Sequence, residues 1–294
     1  MKSGYVAVIG RANAGKSTLI NVLVGEKVAI VSPKPQTTRD RILGVLTTND
    51  YQIAFVDTPG LYRADNLLNS KMQKTAVDTA QDVDAILFVL DAHEGISDTD
   101  RALVQKYATL GKPFILALTK TDIMPESLLI SELKELADET FEIVPVSARK
   151  NRNLKELMKV ILKCLPDGEK LFEQDIISDR SERFMISEIM REKILLKFDK
   201  EIPHGVAILI NQFKLRENGK TYEISLDIIC EKPNHKAILI GKGGKAIKEV
   251  SSFARADMEK FLNRKVFLTT YVKVKEDWRN SAFLMKEYGY GEEN

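Results

Sequence analysis

Between residues 5 and 165, short apolar runs alternate with stretches of helical period. YVAVIG, RILGVLTT, YQIAFVD, DAILFVLDA, PFILALT and FEIVPVS are apolar at nearly every position. Strands read this way when both faces of a mostly parallel sheet are covered. After Asn153, the residues Leu154, Leu157, Met158, Ile161, Leu162 and Leu165 fall at i, i+3, i+4, i+7, i+8 and i+11, one apolar helical stripe. Strands alternating with helices predict an α/β domain with a doubly wound sheet over 1–165. The pattern then changes. Residues 166–180 are polar, carry Pro166 and Gly168, and read as a linker. Beyond them, 181–198 reads as a helix, followed by a hairpin turning at Asn218-Gly219. A short helix, a glycine-rich break, a longer helix and a last strand, KVFLTTYVKVKE, complete the order α-β-β-α-α-β. A small α+β domain is therefore expected over 181–294, and no internal repeat relates the two halves.

A length of 294 residues suits two domains. With 44% hydrophobic and 29% charged residues and a mean hydropathy of −0.18, the chain is neither disordered nor collagen-like. Cys164 and Cys230 stand far apart without CxxC spacing, which argues against a disulfide framework or zinc knuckle and fits a reducing compartment. His93, His204 and His235 are scattered, so no histidine-rich metal site is expected. The start, MKSGYVAVIG, lacks the features of a signal peptide, and no apolar run approaches the roughly 20 residues that span a bilayer. A cytoplasmic protein is expected. Net charge is only +2, but residues 203–294 hold 16 Lys+Arg against 12 Asp+Glu, leaving −2 for the remainder. Lys232, Lys236, Lys242, Lys245 and Lys248 follow one another with no acid between them. This stripe suggests a phosphate-rich partner for the carboxyl-terminal half; a merely solvated surface is the plainer alternative.

The chemistry is concentrated near the start. Gly10-Arg11-Ala12-Asn13-Ala14-Gly15-Lys16-Ser17 matches GxxxxGK[ST] directly after a predicted strand and opens a helix with Thr18. Such a loop converges backbone N–H groups on phosphate oxygens, and the helix amino terminus adds a favourable dipole. Lys16 is expected to reach the β- and γ-phosphates and the Ser17 hydroxyl to ligate Mg²⁺. Downstream segments choose the nucleotide. Asp57-Thr58-Pro59-Gly60 follows YQIAFV, where a carboxylate holding Mg²⁺ through water and a Gly60 amide at the γ-phosphate are wanted; Leu61 comes next. Thr119-Lys120-Thr121-Asp122 follows FILAL, and a carboxylate there accepts from both N1–H and the exocyclic amine of guanine. Adenine offers no matching pair, so Asp122 would reject it by leaving a buried charge unpaired. Ser147-Ala148 follows EIVPV and would bring a backbone amide to the guanine O6.

Ile238-Leu239-Ile240-Gly241-Lys242-Gly243-Gly244-Lys245-Ala246-Ile247-Lys248 joins two predicted helices and resembles the GxxG signature of a KH domain, where a glycine loop approaches the sugar-phosphate backbone. Gly241, Lys242, Gly243, Gly244, Lys245 and Lys248 would meet the backbone, and Ile238, Ile240 and Ile247 would form an apolar floor for single-stranded bases. The element order corresponds to the type II, bacterial KH arrangement. Trp278, Tyr288 and Tyr290 read as residues that cap the domain or lie in a tail, with base stacking as the alternative.

Together these residues give a resemblance, covering both halves, to the Era family of bacterial GTPases, in the TrmE/Era-like group. Pro35-Gln36-Thr37-Thr38-Arg39-Asp40-Arg41 resembles the family's first switch, which implies that Thr38 closes onto Mg²⁺ and the γ-phosphate. Two positions depart from the pattern. Thr119 stands where Asn is commoner, which puts the usual contact to the phosphate loop in doubt, and Ala12 replaces a proline. The glutamine that orients water in many GTPases is here Leu61, which cannot polarise water. In related GTPases with an asparagine at the Asn13 position, K⁺ bound there neutralises developing charge, so K⁺ is a candidate cofactor beside Mg²⁺. The resemblance implies catalytic roles for Asn13, Lys16, Thr38, Asp57 and Gly60, with phosphoryl transfer resting on positioning and charge neutralisation. It also implies binding of 16S ribosomal RNA near its 3′ end, a role in 30S subunit biogenesis, a monomeric state and peripheral association with the inner membrane. A nucleotide-gated RNA-binding scaffold with negligible turnover is the alternative.

Overall fold

The computed structural model describes residues 1–61, 65–91, 93, 95–136, 141–217 and 219–290. The chain divides into two compact units. One comprises Met1–Val31, Thr38–Arg63 and Lys71–Asp179, the other Ser32–Thr37, Ala64–Ser70 and Arg180–Asn294.

In chain order the first elements are β1 (Lys2–Ile9), α1 (Lys16–Val24), β2 (Ile42–Thr47), β3 (Tyr51–Asp57), α2 (Leu67–Gln81) and β4 (Ala85–Asp91). They continue with α3 (Asp98–Ala108), β5 (Phe114–Thr119), α4 (Glu126–Leu136), β6 (Glu142–Pro145) and α5 (Leu154–Cys164). The six strands form one sheet in the order β2-β3-β1-β4-β5-β6, parallel except for β2, which runs antiparallel to β3. Alternation along β1 explains its unbroken apolar run: Val6 and Val8 join a core with Leu19, Ile20, Leu157 and Ile161, while Ala7 and Ile9 join a second core with Val104 and Tyr107. Both faces are covered, so both sets of side chains are apolar. Because β1, β3, β4, β5 and β6 are parallel, the loops that follow them leave from one edge. The chain leaving β1 runs to β2 on one side of the sheet, whereas the chain leaving its neighbour β4 runs to β5 on the other, which marks the switch point where doubly wound sheets place their ligands.

The stretch read as a linker, 166–180, is not a loose tether. The buried Gln52 on β3 accepts from the backbone N–H groups of Leu171 (2.6 Å) and Phe172 (2.9 Å) and donates to the Phe172 carbonyl at 2.9 Å. Along β2, the Val45 N–H donates to the Ile177 carbonyl at 2.8 Å and the Leu43 N–H to Asp179 Oδ1 at 3.0 Å. β2 is an edge strand whose unpaired groups need partners, and this polar segment supplies them through the Ile177 carbonyl and the Asp179 carboxylate.

The second unit contains α6 (Glu182–Lys197), β7 (Ala207–Leu215), β8 (Thr221–Cys230), α7 (Pro233–Ile240), α8 (Lys245–Leu262), β9 (Lys265–Val274) and α9 (Ala282–Glu287). Ser181 caps α6 by accepting from the Phe184 N–H at 3.2 Å. β8 pairs antiparallel with β7 and parallel with β9. Ile224, Leu226 and Ile228 pack against Ile186, Ile189 and Met190 of α6 and Val250, Ala254 and Met258 of α8. At the expected hairpin turn the Gly219 N–H donates to the Arg216 carbonyl at 2.9 Å; Asn218 lies outside the described residues. Beyond β9, Trp278 is fully buried, donates to the Gly205 carbonyl at 2.9 Å, and lies 5.7 Å from the rings of both Tyr288 and Tyr290. These aromatics cap the unit. Among the described residues, no helix is long and apolar enough to cross a membrane.

Candidate functional site

The phosphate loop forms where β1 ends. A β-carbon on Gly10 would lie 2.1 Å from the Val89 carbonyl oxygen of β4, so only glycine fits there. Gly15, left-handed at φ 93, turns the chain into α1 and offers no capping side chain, which leaves the first-turn amides free for an anion. Lys16 is buried, and its ammonium donates to the carbonyls of Gly10 (3.1 Å) and Arg11 (2.9 Å). Burial pulls its pKa down to about 8, against the opposing pull of Asp57. Ser17 donates to Asp57 Oδ2 at 2.7 Å; Thr38 donates to the same oxygen at 3.1 Å, with 3.0 Å between the two hydroxyls. Burial raises the Asp57 pKa although Lys16, Ser17 and Thr38 all pull the other way. Its Oδ1 is buried with no partner. Two hydroxyls around a carboxylate with one unanswered oxygen fit a small hard cation such as Mg²⁺. Asn13 is exposed in a left-handed conformation, Ala14 is buried, and Ala12 and Thr18 are half-buried.

After β3, the buried Thr58 hydroxyl donates to the Val8 carbonyl at 2.9 Å. Pro59 and Gly60 follow, and the Leu61 N–H donates to the Gly10 carbonyl at 3.1 Å. Leu61 packs against the second core, so its side chain serves packing. The Arg11 guanidinium meets Asp100 at 3.2 Å, a residue of α3 outside every sequence motif.

At the end of β5, Thr119 removes the doubt raised by its departure from asparagine. Its hydroxyl lies 2.6 Å from the Ala14 carbonyl and 3.1 Å from that of Leu90, and so ties the base loop to the phosphate loop. Lys120 is left-handed and pairs with Asp91 of β4. Thr121 donates to the Val146 carbonyl at 3.0 Å. Ser147 donates to Asp122 Oδ1 at 2.6 Å and accepts from the Lys150 N–H at 3.1 Å. That bond is the main cause lowering the Asp122 pKa, with Arg149 and Lys150 adding to it, so the carboxylate stays ionised. Ala148 packs against the first core. Sequence reasoning missed Asp91 and Asp100, which carry no motif and are found only through their partners.

In the second unit α7 ends at Gly241, and Lys242–Gly244 make one tight turn before α8. A β-carbon on Gly241 would lie 2.7 Å from the Ala246 Cβ, whereas nothing lies within 4 Å of such an atom on Gly243 or Gly244. Gly241 thus lets the two helices close, and the other two glycines leave open backbone. Lys242, Lys245 and Lys248 are exposed. Ile238 is 49% exposed, while Ile240 and Ile247 are half-buried and Ile247 also packs on the core.

The two units therefore define a P-loop GTPase carrying a KH module. Residues 5–120 match the 50S ribosome-binding GTPase family and residues 201–279 the KH domain family. The chain is 44% identical to the GTPase Era of Clostridium novyi over 293 residues, covering 99% of each chain. It is 44% identical to that of Alkaliphilus metalliredigens over 292 residues, covering 98% of this chain and 99% of the relative. Among solved structures, an Aquifex aeolicus Era variant bound to GDP·AlF4⁻ is 41% identical with a TM-score of 0.93. Era in complex with MgGDPNP and nucleotides 1506–1542 of 16S ribosomal RNA is 40% identical with a TM-score of 0.95. Each comparison covers 99% of this chain and 100% of the other. The chain belongs to the Era family of GTPases.

Proposed function

We propose that this GTPase binds 16S ribosomal RNA near its 3′ end through the Gly241–Gly244 loop and acts in 30S subunit biogenesis. The observation that carries the reading is the open glycine loop flanked by exposed Lys242, Lys245 and Lys248, in a chain similar throughout to an Era solved with that RNA. Backbone without side-chain bulk approaches sugar-phosphate, the lysines neutralise it, and Ile238 and Ile240 offer an apolar surface to bases.

For hydrolysis, Ser17, Thr38 and Asp57 would hold Mg²⁺, which would supply charge neutralisation at the phosphates. Lys16 exchanges its loop carbonyls for phosphate oxygens, the Gly60 amide faces the γ-phosphate, and Asp122 selects guanine. Asn13 is proposed as a K⁺ ligand, since Leu61 offers no polar group to the attacking water. Equal turnover in KCl and NaCl would remove that role. Family resemblance alone supports a monomeric protein in the cytoplasm that associates peripherally with the inner membrane, which chromatography and flotation on anionic vesicles would test.

Crosslinking in cells followed by RNA sequencing tests the main reading. Reads are expected to concentrate at the 16S 3′ end and to be lost with Gly243→Asp. Random transcripts unchanged by that substitution would refute it.

A further inference from the structure

The base-recognition loop is held from a side that its own motif does not reach. β4 lies beside β5 with Asp91 in register with Thr119, so the ends of the two strands emerge together. Asp91 is a nearly buried carboxylate, its side chain 12% exposed, and both of its oxygens are engaged. One meets the Lys120 ammonium; the other accepts from the His93 N–H at 3.0 Å. Lys120 itself sits at φ 58, a left-handed conformation that a lysine does not adopt without support. Its carbonyl accepts from the Ile123 N–H at 3.1 Å, which fixes the main chain, and Asp91 fixes the far end of the side chain. A lysine stem free in solution samples many rotamers, and ordering it on ligand binding weakens affinity.

We propose that Asp91 is a positioning residue for guanine-nucleotide binding: by holding the Lys120 ammonium it sets the lysine stem in place against the purine before the nucleotide arrives. Asp122 reads the edge of the base, Lys120 covers its face, and Asp91 acts through Lys120 without touching the ligand. The idea rests on the guanine reading of the site and deepens it. Asp91 follows the strand run DAILFVL and belongs to none of the nucleotide motifs.

The test is nucleotide release from the full chain, followed with a fluorescent GDP analogue. Asp91→Asn keeps the shape and removes the charge; release is expected to quicken about 3- to 30-fold. KM for GTP rises correspondingly while kcat at saturation is unchanged, because Lys120 binds the base and not the reacting phosphate. Asp91→Glu recovers part of the loss. In a Lys120→Met background Asp91→Asn adds nothing further, since both changes remove one interaction. A release rate within twofold of wild type, or effects that add independently of Lys120, would overturn the proposal. A nucleotide-free melting temperature that falls by more than about 3 °C, or failure to fold, would equally overturn it by making Asp91 a structural residue. Should the wild type show no preference for GTP over ATP, the guanine reading fails. Preference kept with Asp91→Asn unchanged defeats only the present inference.

Discussion

Gly60 offers the sharpest test of how the site reports its ligand. A β-carbon at this position would lie 2.7 Å from the Ala12 Cα, 2.8 Å from the Ala12 nitrogen and 3.2 Å from the Ala12 Cβ. Ordinary contact between such atoms begins near 3.4 Å, so the two backbones must separate by about 0.7 Å in Gly60→Ala. Neither neighbour is a flexible side-chain tip, and the Leu61 N–H bond to the Gly10 carbonyl at 3.1 Å sits on the next residue. Forcing a methyl group into such a contact costs about 1–3 kcal/mol. The penalty falls on the conformation that docks Gly60 on the phosphate loop, in which, on the function proposed above, its amide would face the γ-phosphate. GDP, lacking that phosphate, would make no such contact. Gly60→Ala should therefore lower GTP affinity about 5- to 150-fold and leave GDP affinity within about threefold. Titration calorimetry with GDP and a non-hydrolysable GTP analogue measures both. Equal losses for the two ligands, or no loss for either, would refute the reasoning.

Thr119→Val keeps the shape of the side chain but leaves the Ala14 carbonyl without its 2.6 Å partner; a loss of about 1–2 kcal/mol is expected, read by calorimetry as a fall in Tm of several degrees. Lys16 titrates at about 8 when folded against 10.5 unfolded. The unfolded chain thus binds more protons between those values, and the nucleotide-free protein should gain stability as pH rises through that window. Bound triphosphate restores the charge and should abolish the gain, which thermal melts with and without GTP would show. Gly241→Ala, driven into Ala246, should destabilise the second unit by about 1–3 kcal/mol. Gly243→Asp meets nothing within 4 Å, but its left-handed φ of 60 costs about 1 kcal/mol with a side chain; folding should survive that while RNA binding weakens at least about tenfold and its salt dependence flattens.

Much of this architecture is legible because its signals are local. Strand runs such as AILFVL are apolar throughout because both faces of the sheet are buried, and the stripe from Leu154 to Leu165 has the period of the helix it forms. The phosphate loop and base loop are contiguous, so their chemistry survives in the order of residues. What escapes is chemistry between distant segments. The polar run 166–180 reads as a tether because its role lies in backbone groups along β2 and in the buried Gln52, which no composition records. Asp91 and Asp100 look like ordinary acids until Lys120 and Arg11 are placed beside them. Thr119 looked like a defect in its motif, because sequence cannot show that a hydroxyl reaches the Ala14 carbonyl. Helix α9 was missed because six residues carry too little periodicity to declare themselves.

The most direct measurement is calorimetric binding of GTP, ATP and xanthosine triphosphate to the wild type and to Asp122→Asn. The wild type should bind GTP and reject ATP by orders of magnitude. The variant should lose guanine and gain xanthine, whose C2 carbonyl accepts what the carboxamide donates. Equal affinity of the wild type for GTP and ATP would contradict the assignment of the base to Asp122, and with it the account of this site.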